Sequence, residues 1–418
     1  MSDADWHDAA PSRPVALKKY RAGTHRLVAP ADTLQKMKRF FPVMGITRVA
    51  DVTGLDTIGI PVVLVYRPNS RSLVVSQGKG LDIIAAKASG VMESVEAYMA
   101  ERIVHPLVLG SFNDLQFSHP LGDISELPQT TTSLYHPDLP ILWIEGEELF
   151  TGMPMWIPYE MVHTAYTLPA PTGTGCFIGT TTGLASGNHF LEALSHALCE
   201  IVERDAATLH RVRTAAEVAL RRIDPQTVDD PDCLQVLDRL DRAGLSAGIW
   251  DVTTDISIPA FRCVIAERDQ AASRLMYGAQ GMGCHPHRGI ALLRAITEAA
   301  QTRLTLISGA RDNTTQREYS LAMDPDLWRR QQAALAGQVR RDFRTVPTFD
   351  SDSFDADVAW ELEALRSAGI RQAIAVDLSR EEFGVPVVRV IVPGLEGPVE
   401  LIPSCRPGRR AIDLAASQ

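Results

Sequence analysis

Lysine is scarce in this chain: only six of the 41 basic residues are lysines, and the last is Lys87. Any lysine-based chemistry must therefore use one of those six. Paired metal-binding cysteines are also missing. The six cysteines (Cys176, Cys199, Cys233, Cys263, Cys284, Cys405) are scattered with no Cys-x-x-Cys among them, which excludes a zinc ribbon or a disulfide framework and reads as reduced thiols in the cytoplasm. Apolar stretches such as Ile60–Val65 and Val385–Val392 are short, and the second is broken by Pro386 and Arg389. None approaches the ~20 residues of a membrane span. The first ten residues are acidic and lack the pattern of a secretory signal. No excess of positive charge exists either, since the net charge is −10, so neither nucleic acid nor an anionic membrane is an expected partner.

What remains is 418 residues of ordinary globular composition, 45% hydrophobic and 22% charged, enough for one or two large cores. Residues 1–17 are read as a flexible arm, because residues 1–15 mix Asp, Ser and Pro without apolar period. Strand signals at Val62–Tyr66 and Leu73–Ser76 lead into a helical pattern over 81–103. Residues 104–170 read as an insertion of loops and short strands. A Gly/Thr run over 171–188 opens a second helix at 189–213. Strands at Ala247–Val252 and Ala260–Ala266 precede a third helix at 288–308. Helices near Asp324–Ala336 and Ala356–Ala368 and strands near Gln372–Asp377 and Val387–Val392 complete the chain. This pattern predicts one continuous α/β unit over 18–405, with mixed sheets and interleaved long helices built from repeated strand-helix units, and a tail at 406–418.

The first two long helices repeat one another at a shift of 107 residues, which superposes Gly80, Ala86, Glu93 and Glu96 on Gly187, Ala193, Glu200 and Glu203. Three residues turn a helix by about 300°, so each Glu-x-x-Glu pair shares a face. A lone pair of this kind is ordinarily a solvated surface. Two pairs in identical phase on helices rich in small apolar residues predict two units facing each other, and four converging carboxylates call for hard cations, Mg²⁺ first. Lys79, in Ser-Gln-Gly-Lys-Gly before the first helix, and the glycine-rich run before the second suit an anion near a helix N-terminus, although neither is a Walker A loop. Arg204 beside Glu203 suits a phosphate clamp. Arg294 and Glu298 form an i,i+4 pair on the third helix, whose basic side Arg303 and Arg311 extend.

The segments SQGKGLDIIAAKASGVMESVEAYMAER, GLASGNHFLEALSHALCEIVERDA and RAITEAAQTRLTLISGARD resemble the three signature stretches of the YcaO family. Tyr20–Arg26 with Thr33 is similar to the opening of its TfuA-associated members. The resemblance implies ATP-dependent activation of a peptide backbone amide by O-phosphorylation. It implies Glu93, Glu96, Glu200 and Glu203 as Mg²⁺ ligands, with Arg26, Thr33, Asn188, Arg204, Arg294 and Glu298 at the ATP site; Lys79 is added from the loop argument. Glu200, Glu203 and Arg204 are the expected catalytic centre. Azoline-forming members usually end in Pro-x-Pro-x-Pro, whereas this sequence ends Asp-Leu-Ala-Ala-Ser-Gln, which points to thioamide formation with an external sulfur donor. An azoline cyclodehydratase and a non-catalytic nucleotide-binding accessory protein are the alternatives. No fused leader-binding domain is expected from the N-terminus. The implied partners are a precursor peptide or protein substrate, a TfuA-like protein and the sulfur donor, with room for a homodimer. Residues after about Arg410 are expected to form a mobile terminus that does not order the site.

Overall fold

The computed structural model describes residues 14–268, 278–311, 313–399, 402 and 404–418. Its strands are β1 (Arg48–Asp51), β2 (Val62–Tyr66), β3 (Val75–Lys79), β4 (Leu107–Gly110), β5 (Ile141–Glu148), β6 (Met153–Pro158), β7 (Leu184–Ser186), β8 (Leu245–Asp251), β9 (Ala260–Glu267), β10 (Gly278–Cys284), β11 (Ile374–Asp377) and β12 (Val387–Ile391). The helices that matter for the site are α1 (Pro30–Lys38), α2 (Ile83–Ala100), α3 (Phe190–Val212), α4 (Pro231–Arg242), α5 (Arg288–Ser308), α6 (Phe354–Ser367) and α7 (Arg409–Ala416). The interleaved α/β architecture expected from the sequence is present, and its sheets are antiparallel.

Two three-stranded sheets, β1-β2-β3 and β10-β9-β8, each deliver the chain into a long helix, α2 and α5. Small residues let these helices lie directly on their strands. A Cβ at Gly78 would stand 2.0 Å from the Ala86 carbonyl oxygen of α2, and one at Gly283 would stand 2.1 Å from the Ala291 carbonyl oxygen of α5. Asp82 caps α2 by accepting the Ile84 and Ala85 amides at 2.8 Å. The two sheets meet through α5: Thr305 Oγ1 donates to Gln77 Oε1 of β3 at 2.9 Å, and buried Arg303 joins Asp56 and Glu267. Arg303 thus holds the core together and does not extend the basic face predicted for it.

The third sheet has six strands in the order β4-β5-β11-β12-β7, with β6 on β5. Residues 104–170 are therefore no insertion, since β4, β5 and β6 supply half of this sheet and β5 pairs with β11 at Glu148–Ile374. The strands lie among prolines, and the sheet they join stayed hidden because the pairing that connects them to it, β5 with β11, spans more than 200 residues. The strand predicted at Leu73–Ser76 is Val75–Lys79 instead, which makes Lys79 the last strand residue and not a loop residue. One core, with Val65, Val95, Trp143 and Ile374, fills the space between α2 and the large sheet; a second, with Ala197, Ile201, Val388 and Val390, seats α3.

Both ends of the described chain are tied down. Residues 1–13 of the predicted arm lie outside the described residues, but Ala16 and Leu17 within it are not free: the Ala16 amide donates to Asp355 at 2.8 Å and Leu17 bridges Ser353. The next residue, Lys18, makes a fully buried ion pair with Asp357 of α6 at 2.6 Å. The mobile terminus expected after Arg410 is overturned as well. Residues 409–416 form α7, Arg410 bonds both oxygens of Asp205 on α3 and also Asp255, and Glu396 accepts the Gly408 and Ala411 amides. Two of its anchors, Asp205 and Asp255, are acidic residues distant in sequence, which composition alone cannot reveal.

Candidate active site

Helices α2, α3 and α5, the end of β3 and the N-terminal segment through α1 surround one cleft. Glu93, Glu96, Glu200, Glu203, Glu298, Lys79, Arg26, Arg204 and Arg294 lie close enough there to act on one another's charge, and Thr33 and Asn188 are bonded to each other. Glu93 Oε2 accepts the Gln77 amide at 3.3 Å, and Glu96 Oε1 accepts the Ser186 amide and hydroxyl at 2.9 and 2.7 Å. Glu200 accepts the Gly183 amide at 3.1 Å. Arg204 lies 3.1 Å from Glu203 and 3.9 Å from Glu200. Lys79 is paired with Glu298 at 2.7 Å and Gln301 at 3.3 Å, so it bridges β3 and α5 instead of presenting itself to an anion. Arg294 and Glu298 have other partners than each other: the Arg294 guanidinium meets His196 Nδ1 at 2.9 Å. Thr33 donates to Asn188 Oδ1 at 3.1 Å, which joins α1 to the head of α3.

The electrostatics follow from crowding. Glu93 is exposed to the cleft, Glu96 and Glu200 are half-buried, and Glu203 is buried. The surrounding protein raises Glu96 to about 8, Glu93 to about 7 and Glu203 to about 7, and also raises Glu200. Burial is the leading cause in each case, and the carboxylates push one another further in the same direction. Because Glu93 touches solvent, its share is screened, whereas Glu203 feels it in full. Glu298 is held low despite its burial by Lys79 and Arg204. Among the described residues, no three His, Cys, Asp or Glu side chains close into a cage around a cation. The donor set is nevertheless the one Mg²⁺ takes: several carboxylates without enough positive charge, open on one side to a substrate phosphate.

Several participants escaped the sequence reading. Glu192 is buried on α3, accepts the Leu27 amide at 3.1 Å and lies 3.7 Å from Arg26. His196 receives Arg294. With Glu200 and Glu203, these residues form a polar stripe at spacings of four, four and three along α3, a signal that the focus on Glu-x-x-Glu passed over. Arg389 of β12 is fully buried and lies near enough to Glu200 to oppose its charge. No helix is long and apolar enough to cross a membrane.

The cleft thus brings carboxylates from α2 and α3 together with arginines from the N-terminal segment, α3 and α5. Residues 77–396 match the family described as YcaO cyclodehydratase, ATP- and Mg²⁺-binding, and the chain belongs to this family. It is 36% identical over 399 residues to an uncharacterized protein in the tfuA 3′ region of Rhizobium leguminosarum bv. trifolii, covering 91% of both chains. Its fold is similar to that of YcaO from Methanopyrus kandleri bound with AMPPCP and Mg²⁺, with a TM-score of 0.74, 22% identity and coverage of 94% of this chain and 98% of that one. It is similar too to a heterocyclase in complex with substrate and cofactor, with a TM-score of 0.75 and 22% identity. That match covers 94% of this chain but only 56% of the heterocyclase.

Proposed function

We propose that this protein uses ATP to activate a backbone amide of a ribosomally made peptide or protein and exchanges the amide oxygen for sulfur. The observation that carries the reading is the convergence of two carboxylate pairs from separate helices with Arg26, Arg204 and Arg294 on one open cleft. Such a site balances a triphosphate: the guanidiniums take phosphate oxygens, and the carboxylates require a cation that the triphosphate also ligates. Glu93, Glu96, Glu200 and Glu203 would hold Mg²⁺, which when bound neutralises charge on the transferred phosphoryl group. The Thr33–Asn188 pair and the Glu192–Arg26 pair at the head of α3 orient the nucleoside end. Lys79, which also donates to Gln301, fixes Glu298, whose charge Arg204 in turn opposes.

The amide oxygen attacks the γ-phosphorus and ADP leaves. Hydrosulfide then supplies both electrons of a new C–S bond at the amide carbon. The C–O bond to phosphate breaks, and the departing phosphate carries away the S–H proton, leaving the thioamide. Positioning and charge neutralisation supply most of the acceleration, as in other phosphoryl transfers. Sulfur, as against an internal Cys, Ser or Thr nucleophile, is favoured by the 36% identity with the protein of the tfuA 3′ region, and a TfuA-like protein is the partner proposed. The test is mass spectrometry of candidate peptides after incubation with ATP, Mg²⁺, sulfide and such a partner. Exchange of O for S is expected; loss of water would identify an azoline cyclodehydratase instead, and an unchanged peptide would favour an accessory role.

A further inference from the structure

Lys79, Arg204 and Arg26 each meet a carboxylate at the cleft: Glu298 at 2.7 Å, Glu203 at 3.1 Å and Glu192 at 3.7 Å. Arg294 of α5 stands beside them and makes no ion pair among the described residues. Its hydrogen-bond partner is His196 of α3, a half-buried ring whose Nδ1 lies 2.9 Å and whose Nε2 lies 3.4 Å from Arg294 Nη2. Carboxylates are close by all the same, because the charge of Arg294 opposes those of Glu200 and Glu203, four and seven residues beyond His196 on α3. Pairing with either would occupy the guanidinium, since a carboxylate can take two of its donors at once.

The imidazole is uncharged in this contact, because a ring nitrogen that accepts from a guanidinium carries no proton. Its surroundings keep it so. Burial, and then the charges of Arg294, Arg26 and Lys79, hold the His196 pKa well below the ordinary histidine value. The ring therefore fixes the guanidinium as a hydrogen-bond acceptor and leaves its positive charge whole. A carboxylate in the same place would cancel that charge, and would add a fourth acid to the stripe of α3 that already bears Glu192, Glu200 and Glu203.

We propose that His196 is a positioning residue, which holds Arg294 off Glu200 and Glu203 so that the guanidinium is presented unpaired to the triphosphate of ATP. The proposal rests on the reading of this cleft as the triphosphate site, and not on which nucleophile later attacks the activated amide. His196 acts through Arg294, so its effect on the nucleotide should vanish once Arg294 is removed. A residue that merely fills space between α3 and α5 would show no such dependence.

The measurement is the affinity of the full chain for ATP with Mg²⁺, read by isothermal titration calorimetry. His196→Phe keeps a ring and removes the acceptor, and it should raise Kd about tenfold, the effect of losing one charge-assisted hydrogen bond. His196→Asp, which offers Arg294 a carboxylate, should weaken binding at least as much. His196→Asn keeps an uncharged acceptor near the place of Nδ1 and should stay within about twofold of the wild type. In an Arg294→Ala background, His196→Phe should change Kd no further. A loss that persists in that background, or an Asn variant as weak as the Phe variant with wild-type melting behaviour, would make His196 a packing residue and end the proposal. Should His196→Phe fail to fold, the Asp and Asn variants decide, and equal affinities in those two would overturn it. A wild type that forms no thioamide but shows the expected order of ATP affinities would leave His196 in this role while the thioamide reading falls.

Discussion

Helices α2 and α3 carry the same Glu-x-x-Glu spacing into the same cleft, yet their carboxylates are balanced differently. On α3, Arg204 follows Glu203 immediately, and Arg294 reaches over from α5. On α2, Glu93 has the charges of Arg311 and Lys79 beside the amide of Gln77, whereas Glu96 relies on the amide and hydroxyl of Ser186. These neutral donors leave Glu96 raised to about 8. The two halves of the repeat thus supply equivalent oxygens but not equivalent counter-charge. Glu96 is therefore the carboxylate of the four that depends most on an arriving cation.

The largest expected effect tests whether both halves act as one centre. Glu96→Gln and Glu203→Gln keep side-chain volume and remove one charge each, and each should lower peptide-dependent phosphate release about 1000-fold, roughly 4 kcal/mol of barrier. Turnover surviving in the α2 variant alone would show that the metal belongs to α3. Next in size is the anchoring of α3 by α7. Arg410→Ala leaves the fully buried Asp205 without its guanidinium, and denaturant titration should show a loss of about 3 kcal/mol. A change within experimental error would mean that α7 rests on α3 without holding it.

A third measurement loads the site. ATP with Mg²⁺ should stabilise the protein by about 2.7 kcal/mol at a hundredfold excess over Kd, and ATP with EDTA should not. Equal shifts would place the nucleotide away from the carboxylates. Smaller still is the dependence on pH without metal. An ordinary Glu has lost its proton above 4.5, but in the folded protein Glu96 keeps one up to about 8 and Glu93 and Glu203 up to about 7. The folded state therefore binds more protons across that window, and the cluster's contribution to stability falls as pH rises from about 4.5 to 8. Glu96→Gln should flatten this slope in metal-free melting curves more than Glu200→Gln does; the reverse order would contradict the asymmetry. The smallest effect is at the nucleoside end, where Thr33→Val removes the bond to Asn188 and should raise KM for ATP about fivefold, near 1 kcal/mol.

The long helices and the repeat were readable because small apolar residues and glutamates recur at helical spacing, and the predicted third helix coincides with α5. The topological repeat was not. In space, α2 corresponds to α5, each following a three-stranded antiparallel sheet, while the residue pattern matches α2 to α3. Spacing records where carboxylates are needed, but strand pairing depends on contacts such as Ile374 with Glu148, which no local window contains. Lys79 shows the same limit within the site. Its glycine neighbours suggested an anion loop, and only the packing of α5 against β3 shows that Glu298 is its partner.

The bond between Arg410 and Asp205 joins residues 205 positions apart. At 5–20 residues per second, a ribosome needs roughly 10–40 s to travel from one to the other. Throughout that interval α3 bears Asp205 without the guanidinium that balances it in the finished fold, so the helix carrying Glu200, Glu203 and Arg204 cannot be seated with all its charges paired. The large sheet shares this delay, because β11 and β12 lie between the two residues in sequence and pair with strands made long before. The cleft is consequently among the last parts of the molecule to be completed during synthesis, and a nascent chain carrying all four of the glutamates proposed to hold Mg²⁺ does not yet have them assembled.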